Sequence, residues 1–132
     1  SSDILYPYDE DSDHLVICEG PLDARSLQIQ GVNATCTLGC SVSPRQAEIL
    51  STFAGKIIVG YDNDEAGSRG IEKFEKLRKE RRMPKINICP LPESYKDWNE
   101  AHVKGIDLLT WVLNNSTEYN FQYKTFNELK KL

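Results

Sequence analysis

Four short apolar runs, each followed by helix signals, constrain this chain more than any other feature. They are Leu15–Cys18, Ala34–Leu38, Lys56–Tyr61 (with the β-branched Ile57-Ile58-Val59) and Ile86–Cys89. Continuous apolar strands alternating with helices imply a parallel sheet covered on both faces, hence an α/β fold. The intervening segments read as helices. Pro21 suits a first helical position, with Ala24, Leu27 and Gly31 on one face and Gly31 ending the helix. Ser43-Pro44-Arg45-Gln46 is a capping box, followed by the stripe Ala47, Leu50, Phe53 and a stop at Gly55. The longest helix is predicted over about residues 65–82, with Gly67, Gly70, Ile71, Phe74 and Leu77 inward. Ile106, Leu109 and Leu113 predict one more amphipathic helix. The expected sheet has four strands. The proposed limits of the catalytic domain are 14–114, between an acidic, solvated lead-in or linker at 1–13 and an extension or linker start at 115–132. In that tail Tyr119, Phe121 and Tyr123 alternate and 126–132 reads as helical.

The chain has 132 residues, 39% hydrophobic and 27% charged, enough for one core and not two. No apolar run reaches the 18 or more residues of a membrane span, and no signal-peptide pattern is present. Residue 1 is Ser, which suits a piece of a longer protein. A net charge of −4 argues against general nucleic-acid binding. The cysteines, Cys18, Cys36, Cys40 and Cys89, lack paired Cys-x-x-Cys spacing and are expected to be reduced thiols of a cytosolic protein.

Carboxylates stand where strands end. Glu19-Gly20-Pro21-Leu22-Asp23-Ala24 follows the first run, and Asp62-Asn63-Asp64-Glu65-Ala66-Gly67 follows the third. In open α/β sheets ligands sit beyond the carboxyl ends of strands, where strand order reverses. If strands 1 and 3 are neighbours, Glu19 and Asp62 reach a common ion. In an extended turn Asp62 and Asp64, two residues apart, point the same way. Such an all-oxygen set is what Mg²⁺ prefers. Plainer roles compete. Asp64 or Asp62 suits a helix N-cap, Glu19 a surface turn, Asp23 the helix dipole, and Asp97 the cap of a short helix to about Val103. Eight cations, Arg69, Lys73 and Lys76 among them, face three carboxylates across residues 69–85, as a nucleic-acid contact or a solvated helix face. His14 and His102 lie in no ligand pattern, and no phosphate loop of the Gly-Lys-Ser/Thr type is present.

The Glu-Gly-x-x-Asp-Ala and Asp-x-Asp-x-Ala-Gly pair resembles the Toprim domain of primases, topoisomerases and some nucleases, over about residues 14–103. Ala66-Gly67, Leu38-Gly39 and Lys96-Asp97-Trp98-Asn99 resemble the primase branch, bacterial-type or phage or mitochondrial primase-helicase. The resemblance implies Glu19, Asp62 and Asp64 as catalytic residues and ligands of Mg²⁺ (or Mn²⁺), two ions in all, with Asp23 and Asp97 as further acidic positions. Lys96 and Arg69 would meet phosphates, and Lys73 and Lys76 the nucleic acid. It implies RNA primer synthesis from NTPs on a single-stranded DNA template in DNA replication, with a replicative helicase fused or separate. The implied location is cytoplasmic, bacterial or in a phage-infected cell, ahead of mitochondrial. A Toprim nuclease and a non-catalytic nucleic-acid or partner-binding module are the alternatives. Bacterial-type primases also use a zinc ribbon and a basic subdomain, neither visible in these residues, so the piece alone need not be active.

Overall fold

The computed structural model describes residues 4–120. Chain order is β1 (His14–Cys18), α1 (Pro21–Ile29), β2 (Ala34–Cys36), α2 (Pro44–Leu50), β3 (Lys56–Val59), α3 (Glu65–Glu80), β4 (Asn87–Ile88), α4 (Trp98–Val103), α5 (Leu108–Asn115) and β5 (Thr117–Glu118). The sheet order is β2-β1-β3-β4-β5. The first four strands are parallel, and β1 pairs directly with β3 (Val16 with Ile58, Ile17 with Val59). The chain moves from β1 outward to β2, then crosses back to β3 on the other side of β1. The reversal point therefore lies between β1 and β3, at the ends that carry Glu19 and Asp62.

The fifth strand corrects the four-stranded expectation. Thr117–Glu118 runs antiparallel beside β4, with Ile88 opposite Thr117. Two exposed polar residues on a sheet edge carry no hydrophobic alternation, so nothing in the sequence marks them. Tyr119, just beyond, is buried. Phe121, Tyr123 and the helical reading of 126–132 fall outside the described residues.

Side-chain alternation along each strand splits the core in two. Val16, Cys18 and Ile58 face α1, α4 and α5 through Ala24, Leu27, Trp98, Ala101, Leu108 and Val112. Leu15, Ile17, Ile57 and Val59 face α2 and α3 through Ala47, Leu50 and Phe74. The capping box forms as predicted: Gln46 N–H donates to Ser43 Oγ, and Ser43 N–H donates to Gln46 Oε1. Gly31 ends α1 at φ +85°. All four cysteines are free thiols.

Two expectations shift in phase. The α5 stripe is Leu108 and Val112, while Leu109 and Leu113 are exposed. Paired apolar residues (108–109, 112–113) offer two stripes one residue apart, and the Asp107 cap, accepting from Thr110 N–H, starts the helix in the other phase. The lead-in is not wholly solvated. Asp9 and Asp11 are exposed, but Leu5, Tyr6 and Tyr8 pack on the core, and Thr35 Oγ1 donates to the Tyr6 carbonyl (2.6 Å). No helix among the described residues is long and apolar enough to cross a membrane.

Candidate metal and nucleotide site

Each carboxylate of interest is set by the element that precedes or follows it. Glu19 directly follows β1, and Asp62 follows β3 by way of Gly60 and Tyr61. The Asp62 N–H donates to Glu19 Oε1 (3.2 Å), which joins the two loops. The Asp64 N–H donates to the Asp62 carbonyl (2.8 Å), so Asp62–Asp64 is a tight turn, not the extended one expected. Asp64 caps α3 through Gly67 N–H (2.7 Å), and Asp97 caps α4 through Glu100 N–H (2.7 Å). Both capping roles weighed for these residues are therefore real. Each uses one carboxylate oxygen, Oδ1, and leaves the other uncommitted to the cap. Asp23 is buried and accepts from the Asn99 N–H (3.0 Å), tying α1 to α4.

The electrostatics single out Asp62. Its pKa is pushed up to about 6, first by burial, then by the negative charges of Glu19, Asp23, Asp64 and Asp97. Asp23 is raised too, by burial and by Asp97 and Glu19, against the Asn99 hydrogen bond. Asp62 thus feels the charge of all four other acidic positions. None of the five has an ion-pair partner among the described residues. Asp62 Oδ1 is buried and has no hydrogen-bond partner among the described residues. A buried, unpaired carboxylate oxygen amid like charge is costly unless a cation joins it. The donors therefore fit a hard divalent ion in chemistry and charge. Among the described residues, no three metal-ligating side chains are gathered tightly enough to hold one as they stand.

The cations stand apart. Arg69 pairs with Glu65 one turn back (3.2 Å), not with the acidic loops. Lys96 is exposed beside Asp97. Lys73 and Lys76 are exposed on α3 and make no ion pair among the described residues, whereas Arg78 is bound to Glu75 in the core and Lys85 to Glu118.

Sequence reasoning missed the groups that hold this arrangement together. Trp98 is fully buried, and its Nε1–H donates to the Gly60 carbonyl (2.7 Å), locking the Asp97 helix onto the strand that delivers Asp62. A side chain at Gly60 would meet that indole at 3.1 Å. Thr37 and Tyr61 share a buried hydroxyl contact (3.0 Å), and Gly39 N–H donates to the Glu19 carbonyl (3.0 Å), fixing the turn after β2 against Glu19. Leu38 enters that turn at φ +58°, exposed. A Trp inside the 96–99 motif was the visible hint; its partner was not visible.

Comparison with known proteins agrees. A family profile described as Toprim-like matches residues 16–102. The DNA primase of Clostridium acetobutylicum is 35% identical over 117 residues, covering 80% of this chain and 20% of the primase. The E. coli primase catalytic core superposes with a TM-score of 0.77 over 97% of this chain and 43% of its own, at 19% identity, a likeness of fold. A DnaG primase catalytic domain bound to ssDNA gives 0.66 over 81% of this chain and 35% of its own, at 19% identity. The chain spans about a fifth of the length of the curated relatives it matches. A profile covering most of the chain, on a sheet that brings its two acidic loops together, makes this chain a member of the Toprim-like family.

Proposed function

We propose that this chain is the metal-binding, nucleotidyl-transferring unit of a DNA primase, which joins ribonucleoside triphosphates into short RNA primers on single-stranded DNA. The observation that carries the reading is the unneutralised carboxylate group around the orphaned Asp62 Oδ1. The relatives named DNA primase and the ssDNA-bound structural neighbour support it. Glu19, Asp62 and Asp64 would hold Mg²⁺ or Mn²⁺, with Asp23 and Asp97 adding charge for a second ion. Bound there, such ions would supply neutralisation of the triphosphate and of the charge growing on the attacking and leaving oxygens. The chain's own contribution is placement. Two capped helices and the Trp98–Gly60 bond hold the carboxylates still, and Asp64 keeps one oxygen outside its cap. Lys96, and Arg69 once released from Glu65, would meet phosphates. Lys73 and Lys76, which make no ion pair among the described residues, would offer charge to a nucleic-acid backbone. A replicative helicase, fused or separate, is the partner this reading carries, in a bacterial or phage-infected cytoplasm.

Replacing Asp62 or Asp64 by Asn in the parent protein is expected to abolish Mg²⁺-dependent primer synthesis from NTPs on labelled single-stranded template, with circular dichroism unchanged. Synthesis that survives in the double variant removes both residues from the mechanism. Cutting of the template in place of extension makes the chain a nuclease, and retention alone makes it a binding module.

A further inference from the structure

A cavity of about 400 Å³ opens beside Asp62 on its β4 side, bounded by α3, the end of β4 and the α5–β5 junction. Asp62 is the only charged residue among the described residues of its lining. Ile71 and Ile88 give it apolar walls, and Ser68, Asn114 and Thr117 bring polar groups. The side chains of those three make no hydrogen bond among the described residues, so their donors and acceptors are available. One wall is braced, since Asn63 exchanges two hydrogen bonds with the Leu91 backbone (3.3 Å each).

We propose that this cavity is the nucleoside subsite, taking the base and ribose of a nucleoside triphosphate whose phosphates lie at the carboxylates. The inference rests on the nucleotidyl-transfer reading above and adds where the uncharged end of the substrate goes. Charge decides the assignment. A triphosphate needs cations, and this lining has no Lys or Arg among the described residues. What it offers is apolar surface for a planar ring, plus amide and hydroxyl groups that pair with ring edges and sugar hydroxyls. The volume lies within the range of small-ligand sites, about 300–1,000 Å³. Continuity decides the orientation, because Asp62 belongs both to the acidic group and to the cavity wall. An amide presents a donor and an acceptor together, so Asn114 can meet the edge of any of the four bases.

The test is calorimetric titration of the full chain with Mg²⁺-ATP and with Mg²⁺-tripolyphosphate, which carries the phosphates and no nucleoside. ATP is expected to bind at least tenfold more tightly. Asn114→Ala and Ile71→Trp, the second a plug, should bring ATP down towards the tripolyphosphate level and leave tripolyphosphate binding unchanged. If Ile71→Trp fails to fold, Thr117→Val at an exposed position replaces it. The subsite is overturned if ATP has no advantage in the wild type, or if the pocket variants keep that advantage. In those cases tripolyphosphate still binds with Mg²⁺ and the nucleotidyl-transfer reading stands. Failure of the wild type to bind either compound with Mg²⁺ overturns that reading and the subsite together.

Discussion

Asp62 is the side chain on which the proposed chemistry rests. Burial and four like charges raise its pKa from 3.8 to about 6. The folded state therefore holds a proton that the unfolded chain has already released between those values. The stability linked to that proton is fully present below pH 3.8 and is lost as pH rises through about 6. Without divalent ions, the melting temperature attributable to this group should fall between pH 4 and pH 7. Mg²⁺ should restore it, more at pH 7 than at pH 5, because at pH 5 a proton competes for the carboxylate. Asp62→Asn should flatten both effects, and scanning calorimetry with and without Mg²⁺ reads them directly. In the metal-free protein at pH 7 that variant should melt a few degrees higher, on the order of 1 kcal/mol after allowance for solvent screening. The sequence shows that Asp62 is acidic and near a strand end. It does not show that Oδ1 has no partner among the described residues, because that depends on what the fold leaves out of reach.

At the scale of elements, α3 explains two glycines that work against helix propensity. A β-carbon at Gly70 would run into the Cys40 carbonyl, and one at Gly67 into the Asp62 carbonyl. The helix is admitted close to the loops only because both positions lack side chains. Gly70→Ala should destabilise by about 3 kcal/mol despite its better propensity, as overpacking against backbone does. Gly67→Ala should also weaken Mg²⁺ binding, because it displaces the Asp62 backbone. Gly20→Ala is the contrast: open space surrounds it, and a change within about 0.5 kcal/mol is expected. Chemical denaturation of the three variants separates these cases. The glycines and the capping box of α2 were legible because they are local signals. The phase of α5 was not, since two adjacent stripes fit the same periodicity and only the Asp107 cap and the packing of Leu108 and Val112 choose between them.

For the whole molecule, the decisive contact is long-range. Trp98 and Gly60, far apart in the chain, bind through a buried indole N–H, and this joins the third acidic segment to the first two. Trp98→Ala should cost about 3–5 kcal/mol. Trp98→Phe, which keeps bulk and loses the donor, should retain the fold, yet lower Mg²⁺ affinity by loosening Asp97 and Asp62. Thermal melts and Mg²⁺ titration of the two variants test this. The sequence alone determined the α/β class, the parallel strand pattern, the acidic loops at strand ends and the capping box of α2. Those follow from periodicity and short-range hydrogen bonding, which act within a few residues. Only the tertiary structure decided that β1 lies beside β3, that β5 pairs with β4, that Asp62 Oδ1 has no partner among the described residues, and that a cavity lined mostly by uncharged groups opens next to it. Each of these depends on which distant segments share space, a choice made by burying two continuous cores at once and not encoded in any single stretch of residues.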